Sequence, residues 1–153
     1  MPERCPACGA RAQQSGKYWL CPNGLACLPQ LVGRTRLLCG RGAFEIERLG
    51  EKLIQQLVEH GLIRTPADVF HLEAGQLLEL ERWGEKSVEN LMRELVERRR
   101  VPFERYLVAL AIPEVGPATA KLLMRHFASI QELAAADEER LLHVEGIGPE
   151  MAR

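Results

Sequence analysis

Four of the chain's five cysteines fall within its first 27 residues, as Cys5-x2-Cys8, a twelve-residue interval, and Cys21-x5-Cys27. Two close thiol pairs separated by a short loop can surround one tetrahedral ion, and Zn2+ accepts four thiolate sulfurs at about 2.3 Å. A site closed by four cysteines leaves no open position for water or substrate, so the role expected of a zinc here is structural. Disulfides, or a redox Cys-x-x-Cys, are the competing readings. Disulfides fit poorly with a chain read as cytoplasmic, and a redox motif would account for only one of the two pairs. Cys39, beside Leu37 and Leu38, reads as a small buried hydrophobe. His60, His71, His126 and His143 lie far from the cluster in sequence and read as ordinary helix residues.

Short local elements must present these thiols. Cys5-Pro6-Ala7-Cys8-Gly9 reads as a tight turn, with Gly9 free to adopt a positive φ. Lys17-Tyr18-Trp19-Leu20 reads as a short strand delivering Cys21. A segment this small has little core of its own, so metal binding would supply most of its folding free energy.

The remaining composition suits a folded chain, with 46% hydrophobic and 27% charged residues among 153. No run approaches the roughly 20 apolar residues of a membrane span. The start, Met1-Pro2-Glu3-Arg4, lacks the apolar core of a signal peptide. The expectation is a cytoplasmic protein without a membrane partner, acting as a monomer. The net charge of −1 hides an asymmetry: residues 1–44 carry six basic side chains against Glu3, whereas the rest carries fourteen basic and twenty acidic ones. A basic head can track phosphates. The acidic remainder needs a local device if it is to approach a polyanion.

A repeated turn supplies such a device. Ile46-Glu47-Arg48-Leu49-Gly50, Leu80-Glu81-Arg82-Trp83-Gly84, Ile112-Pro113-Glu114-Val115-Gly116 and Val144-Glu145-Gly146-Ile147-Gly148 each pair an apolar start with a final glycine. Those glycines are spaced by 34, 32 and 32 residues. Thr65–Gly84 also aligns with Ser129–Gly148 at a constant offset of 64, placing Leu77, Leu78 and Leu80 on Leu141, Leu142 and Val144. Helices are expected between turns: Thr65-Pro66-Ala67-Asp68 and Ser129-Ile130-Gln131-Glu132 are capping signals. Leu53, Leu57 and Val58 keep helical spacing, as do Val88, Leu91, Leu95 and Val96. Arg98-Arg99-Arg100-Val101-Pro102 interrupts the pattern and links one pair of turns to the next.

A glycine hairpin between two helices can aim backbone N–H groups outward at the start of the second helix, where orphan amides and the helix dipole favour a phosphate. Glycine would permit both a positive φ and close backbone approach. Such contacts position a protein on a duplex without reading its sequence, and need no side-chain charge excess. The plainer alternative is that the glycines merely permit turns in a helical array. Lys52 and Lys86, two residues past their glycines, are placed to reach the same phosphate, although isolated surface lysines are usually just solvated. Thr119, three past Gly116, offers a hydroxyl.

These features together resemble bacterial NAD-dependent DNA ligases in their zinc-finger and helix-hairpin-helix regions. The resemblance covers nearly the whole chain. It rests on the four cysteines, on Arg41-Gly42-Ala43 leading into Ile46–Lys52, on Leu80–Ser87, on Arg105-Tyr106-Leu107 before Ala109-Leu110, and on Val144–Gly148. It implies a parent enzyme that seals nicks in duplex DNA in replication and repair, using NAD and Mg2+, through an adenylation domain with a Lys-x-Asp-Gly motif. No Lys-x-Asp-Gly occurs in these 153 residues. The chain is therefore expected to hold no catalytic residue and to be inactive alone. Its implied partners are nicked duplex DNA and the other domains of the same ligase. In the family the zinc finger supports the junction between neighbouring domains, while the hairpins grip the DNA backbone.

The family hairpin carries two glycines, and only the fourth turn keeps both, as Gly146 and Gly148. Arg48, Arg82 and Glu114 stand at the first position elsewhere, and a Glu114 pointing inward would repel a phosphate. The sequence stops at Met151-Ala152-Arg153, where a closing helix is due, so it reads as a partial piece with its last turn poorly held.

The fold expected is mostly α: a four-cysteine zinc-finger module over residues 1–38, one pair of helix-hairpin-helix motifs over 39–100 and a second over 101–153. The expected DNA contacts are Gly50, Lys52, Gly84, Lys86, Gly116, Thr119, Gly146 and Gly148. A second reading is a free-standing, non-catalytic adaptor binding branched or damaged DNA. An independent hydrolase would need a nucleophile with a base or an open metal site, and the acids fall on helical faces where charge is normally solvated.

Overall fold

The computed structural model describes residues 3–152; Met1, Pro2 and Arg153, at the ends of the expected first and last domains, lie outside the described residues. The protein is mostly helical, as the sequence predicts. Its residues form two compact units. One takes in the chain to Arg36 together with Ile46–Glu97, and the other takes in Leu37–Glu45 together with the described chain from Arg98 onward.

The first unit opens with a ribbon, β1 (Gln13–Ser15) paired antiparallel with β2 (Tyr18–Leu20), in the register Gln13 to Leu20 and Ser15 to Tyr18. Gly16, at φ 57°, makes the tight turn between them. Every residue of both strands is exposed. A two-stranded ribbon with no buried face is marginal in water, so its stability must come from the cysteines at its base. A 3-10 turn, Gly24–Ala26, then leads into α1 (Leu28–Cys39), whose Leu31 and Thr35 are buried. The Thr35 hydroxyl is satisfied by donating to the Leu31 carbonyl at 2.8 Å.

Four further elements complete this unit: α2 (Glu51–Glu59), a 3-10 helix (Pro66–His71), α3 (Ala74–Leu78) and α4 (Glu85–Glu97). Ile54, Leu57 and Val58 of α2 face inward, with Val88, Leu91 and Leu95 of α4. Val96 departs from the expected stripe and is 74% exposed. Adjacent helix positions lie about 100° apart, so Val96 turns away from the face that Leu95 buries.

The second unit comprises Leu37–Glu45 with α5 (Phe103–Ala109), α6 (Pro117–His126), α7 (Ile130–Ala134), α8 (Glu138–Leu142) and α9 (Pro149–Ala152). Leu107, Ala120, Leu123, Phe127 and Val144 form its core. Arg105 donates its Nε–H to the Ala43 carbonyl at 2.7 Å and pairs with Glu45 at 2.9 Å. Tyr106 meets Phe44 edge-on, with ring centroids 6.5 Å apart. Ala43-Phe44-Glu45 and Arg105-Tyr106, distant in sequence, are thus the two sides of one packing contact.

The offset of 64 is visible in the elements. α3 and α8 share it at both ends, and the 3-10 helix and α7 share it at their starts. Their caps also match: Asp68 accepts from the Arg64 amide at 2.8 Å, and Glu132 accepts from the Ala128 amide at 2.8 Å while Ser129 accepts from the Glu132 amide. Contrary to expectation, the last turn is well held. Val144, Ile147 and Ala152 are buried, and the Ile147 amide donates to the Val144 carbonyl at 3.0 Å. Among the described residues no helix is long and apolar enough to cross a membrane.

Candidate metal centre and hairpin turns

The Sγ atoms of Cys5, Cys8, Cys21 and Cys27 all lie within 4.8 Å of one another. Cys8 and Cys21 are 3.5 Å apart, and Cys5 and Cys27 are 4.0 Å apart. A disulfide would require about 2.0 Å. Four sulfurs held at about 2.3 Å from a central zinc have tetrahedral edges of about 3.8 Å, close to the 4.0 and 3.5 Å of these two pairs. Gly9, at φ 72°, closes the first knuckle: its amide donates to the Cys5 carbonyl and the Cys5 amide to the Ala10 carbonyl, both at 2.8 Å. The ribbon delivers Cys21, whose carbonyl accepts from the Gln30 side chain at 3.0 Å. Cys27 stands at the head of α1, its carbonyl accepting from the Gln30 and Leu31 amides.

The thiols do not share one environment. A hydrogen bond from the Ala10 amide holds Cys8 down at about 7. The Asn23 amide works to lower Cys21 too, but burial and the surrounding thiols push it up to about 12. Burial raises Cys27. Each thiolate formed in so small a volume opposes the next, and a divalent cation at the centre removes that conflict. The donor set fits a soft or borderline metal ion. Cys39 is buried, as predicted. His60, His71, His126 and His143 all lie at or just past the C-terminal ends of helices, and none of them belongs to the cysteine cluster.

The second, third and fourth turns each follow a helix closely, while the first is separated from α1 by residues 40–45, and each final glycine is the residue just before a helix: Gly50 before α2, Gly84 before α4, Gly116 before α6 and Gly148 before α9. None of the four has a positive φ, which corrects the expectation that they are needed for that conformation. Gly50 and Gly116 lie at φ −72° and −91°, which any residue can adopt. The left-handed residue is the third of the turn instead: Arg82 at 69°, Glu114 at 63° and Gly146 at 93°. Arg48 does not share it.

A Cβ built on Gly50, Gly84, Gly116 or Gly148 meets nothing within 4 Å, whereas one on Gly146 comes 3.2 Å from Leu122 Cδ2. Neither backbone conformation nor internal packing therefore calls for glycine at the four caps. What their bareness offers is close access from outside. The turns are pinned from within by their first and fourth residues, Ile46 and Leu49, Leu80 and Trp83, Val144 and Ile147, all buried. The third turn is the exception, with Ile112 40% exposed.

Lys52 and Lys86 are exposed, and Lys86 pairs loosely with Glu89 at 3.7 Å. The Thr119 hydroxyl turns back to donate to the Glu114 carbonyl at 3.3 Å, so it steadies its own turn. Ser87 holds the position matching Thr119 and escaped the sequence reading. Glu94 escaped it as well: its carboxylate accepts from the Glu47 amide at 2.8 Å and the Arg48 amide at 3.3 Å. A contact across 47 residues leaves no local sequence signal.

Both halves match helix-hairpin-helix families. Residues 43–97 match the SAM-like helix-hairpin-helix tandem, and residues 105–153 the helix-hairpin-helix motif. The chain is 45% identical to a DNA ligase of Chlorobium luteolum over 155 aligned residues, covering 100% of this chain and 23% of that protein. It aligns end to end with a segment of DNA ligases. DNA ligases of Salinibacter ruber and Alkalilimnicola ehrlichii are each 41% identical, over 99% and 100% of this chain and 22% and 23% of their own lengths. The chain thus spans less than a quarter of the length of the curated relatives it matches. The aligned span takes in the four cysteines and all four turns.

Proposed function

We propose that this chain is a DNA-gripping segment of an NAD-dependent DNA ligase, with a structural zinc on Cys5, Cys8, Cys21 and Cys27. The observation that carries the reading is the set of solvent-open glycine caps, each at the head of a helix and none required by the fold itself. Backbone amides at Gly84 and Gly116, and around Gly146 and Gly148, meet DNA phosphates, with Lys86 adding a cation to the second turn. Main-chain donors explain how a polypeptide with a net charge of −1 holds a polyanion. Nick sealing in replication and repair, with NAD and Mg2+, is the chemistry of the longer enzyme. The segment's partners are nicked duplex DNA and the ligase's other domains, in the cytoplasm, within a monomeric enzyme.

In this role the zinc performs no chemistry on substrate. It fixes the exposed ribbon and the head of α1. The test is fluorescence anisotropy of the zinc-loaded chain with a nicked duplex at two salt concentrations. Binding that weakens steeply with salt is expected. Absence of binding at low salt would sink the reading.

A further inference from the structure

The four turns are not equivalent in what their amides already hold. In the first, the Glu94 carboxylate from α4 accepts from the amides of Glu47 and Arg48 at 2.8 and 3.3 Å, and the Arg48 guanidinium stands 3.8 Å from the same group. Two backbone N–H groups and a cation around one carboxylate make up an occupied anion cradle. Glu94 is largely covered, its side chain only 14% exposed. Among the described residues no carboxylate holds the matching amides of Glu81 and Arg82, of Glu114, or of Glu145 and Gly146.

The second turn is tied to its neighbour through other groups. Gln56 of α2 accepts the indole N–H of Trp83 at 3.2 Å and donates to the Glu81 carbonyl at 3.3 Å. This link uses a carbonyl and a side chain, and leaves the Glu81 and Arg82 amides unclaimed. The two hairpins therefore bind each other asymmetrically: the first gives up its turn amides, while the second keeps them.

We propose that Glu94 is an internal stand-in for a phosphate, which makes the first hairpin a docking hairpin and leaves DNA contact within this pair to the second. Two physical effects act together. A phosphate arriving at the first turn would have to displace a covered carboxylate already hydrogen-bonded to the amides. It would also meet the negative charge of Glu94 itself. The second turn carries the same charges at matching positions, Glu81, Arg82, Glu85 and Lys86 against Glu47, Arg48, Glu51 and Lys52, but its amides are free. Gly50 and Lys52, counted among the DNA contacts by their spacing, fall out of that set. Glu94 is a positioning residue: it acts on DNA only through the turn it fills.

This inference rests on the DNA-binding reading above, and the experiment separates the two. The zinc-loaded chain and its Gly50→Val, Gly84→Val and Glu94→Gln variants are titrated with nicked duplex across a salt series, with circular dichroism reporting the fold. Neither glycine lies at positive φ and a Cβ on either meets nothing within 4 Å, so both variants should stay folded. Gly50→Val should leave affinity within about twofold, whereas Gly84→Val should lower it tenfold or more. Glu94→Gln weakens the internal acceptor and opens the first turn, so affinity rises and the slope of log K against log salt steepens by about 0.9 for one added phosphate. Equal losses in the two glycine variants, or an unchanged slope in Glu94→Gln, would overturn the stand-in while DNA binding stands. Failure of the unmodified chain to bind at low salt would remove both.

Discussion

The indole N–H of Trp83 is 3.2 Å from the Gln56 side-chain oxygen, across 27 residues, and the other end of the same amide holds the Glu81 carbonyl. One side chain on α2 thus fixes the turn that precedes α4 at two points. Gln56→Ala would leave a mostly buried indole donor without its acceptor, at a cost of about 1–3 kcal/mol. Urea denaturation is the check, and an unchanged midpoint would show that the Trp83 packing holds the turn unaided.

Metal removal should act locally. With its ribbon exposed on both strands, the N-terminal module has no apolar core to fall back on. Dialysis against a strong chelator is expected to release about one zinc per chain and to lose the amide dispersion of residues 5–27, while the helices of 51–97 keep theirs. Cys8→Ser should reproduce the effect without chelator. Retained dispersion after verified zinc loss would refute the staple.

Two turns contain side chains where the backbone favours glycine. Arg82 and Glu114 lie in the left-handed region, where an ordinary residue costs about 1 kcal/mol relative to glycine. Glu114→Gly should therefore raise the melting temperature slightly and, by removing a negative charge, tighten duplex binding. Gly146→Ala tests the converse, since it adds backbone strain and a Cβ 3.2 Å from Leu122. A Glu114→Gly variant less stable than the parent would show that the glutamate makes a compensating contact.

Three carboxylates tie stability to pH. The Arg105 guanidinium holds Glu45 below its ordinary value, and the Ala128 amide with Arg140 does the same for Glu132. Burial works to raise Asp68, but the amides of Arg64 and Thr65 outweigh it. In each case the folded value lies below the unfolded one, about 4. Their contribution is complete above that value and drains as pH falls through the lowered ones. The urea midpoint should drop between pH 5 and pH 3, by less in a variant carrying Glu45→Gln, Asp68→Asn and Glu132→Gln. Parallel curves would rule these groups out as the cause.

The sequence made visible what depends on local chemistry. Cysteine spacing located the cluster, and the capping signals at Thr65 and Ser129 located two helix starts. The glycine spacing found all four turns. It could not show that the φ-demanding position is the third of the last three turns rather than the fifth, because both positions attract glycine and only Gly146 filled the former. Nor could it show Glu94 or Gln56, whose partners lie 47 and 27 residues away. Ala43 and Arg105 stood out through the family resemblance alone, and the bond from Arg105 to the Ala43 carbonyl shows what that pair does.

That contact bears on the order in which the protein can be made. Leu37–Glu45 belongs with residues that follow Glu97, and Ala43 waits 62 positions for Arg105. On the ribosome the first unit interrupts the second, so Phe44 emerges well before Tyr106 exists to cover it. The first unit has its whole sequence by Glu97 and can fold while translation continues. The second must hold an early apolar segment in reserve until its own helices arrive, which makes that segment the part most exposed to misassembly during synthesis.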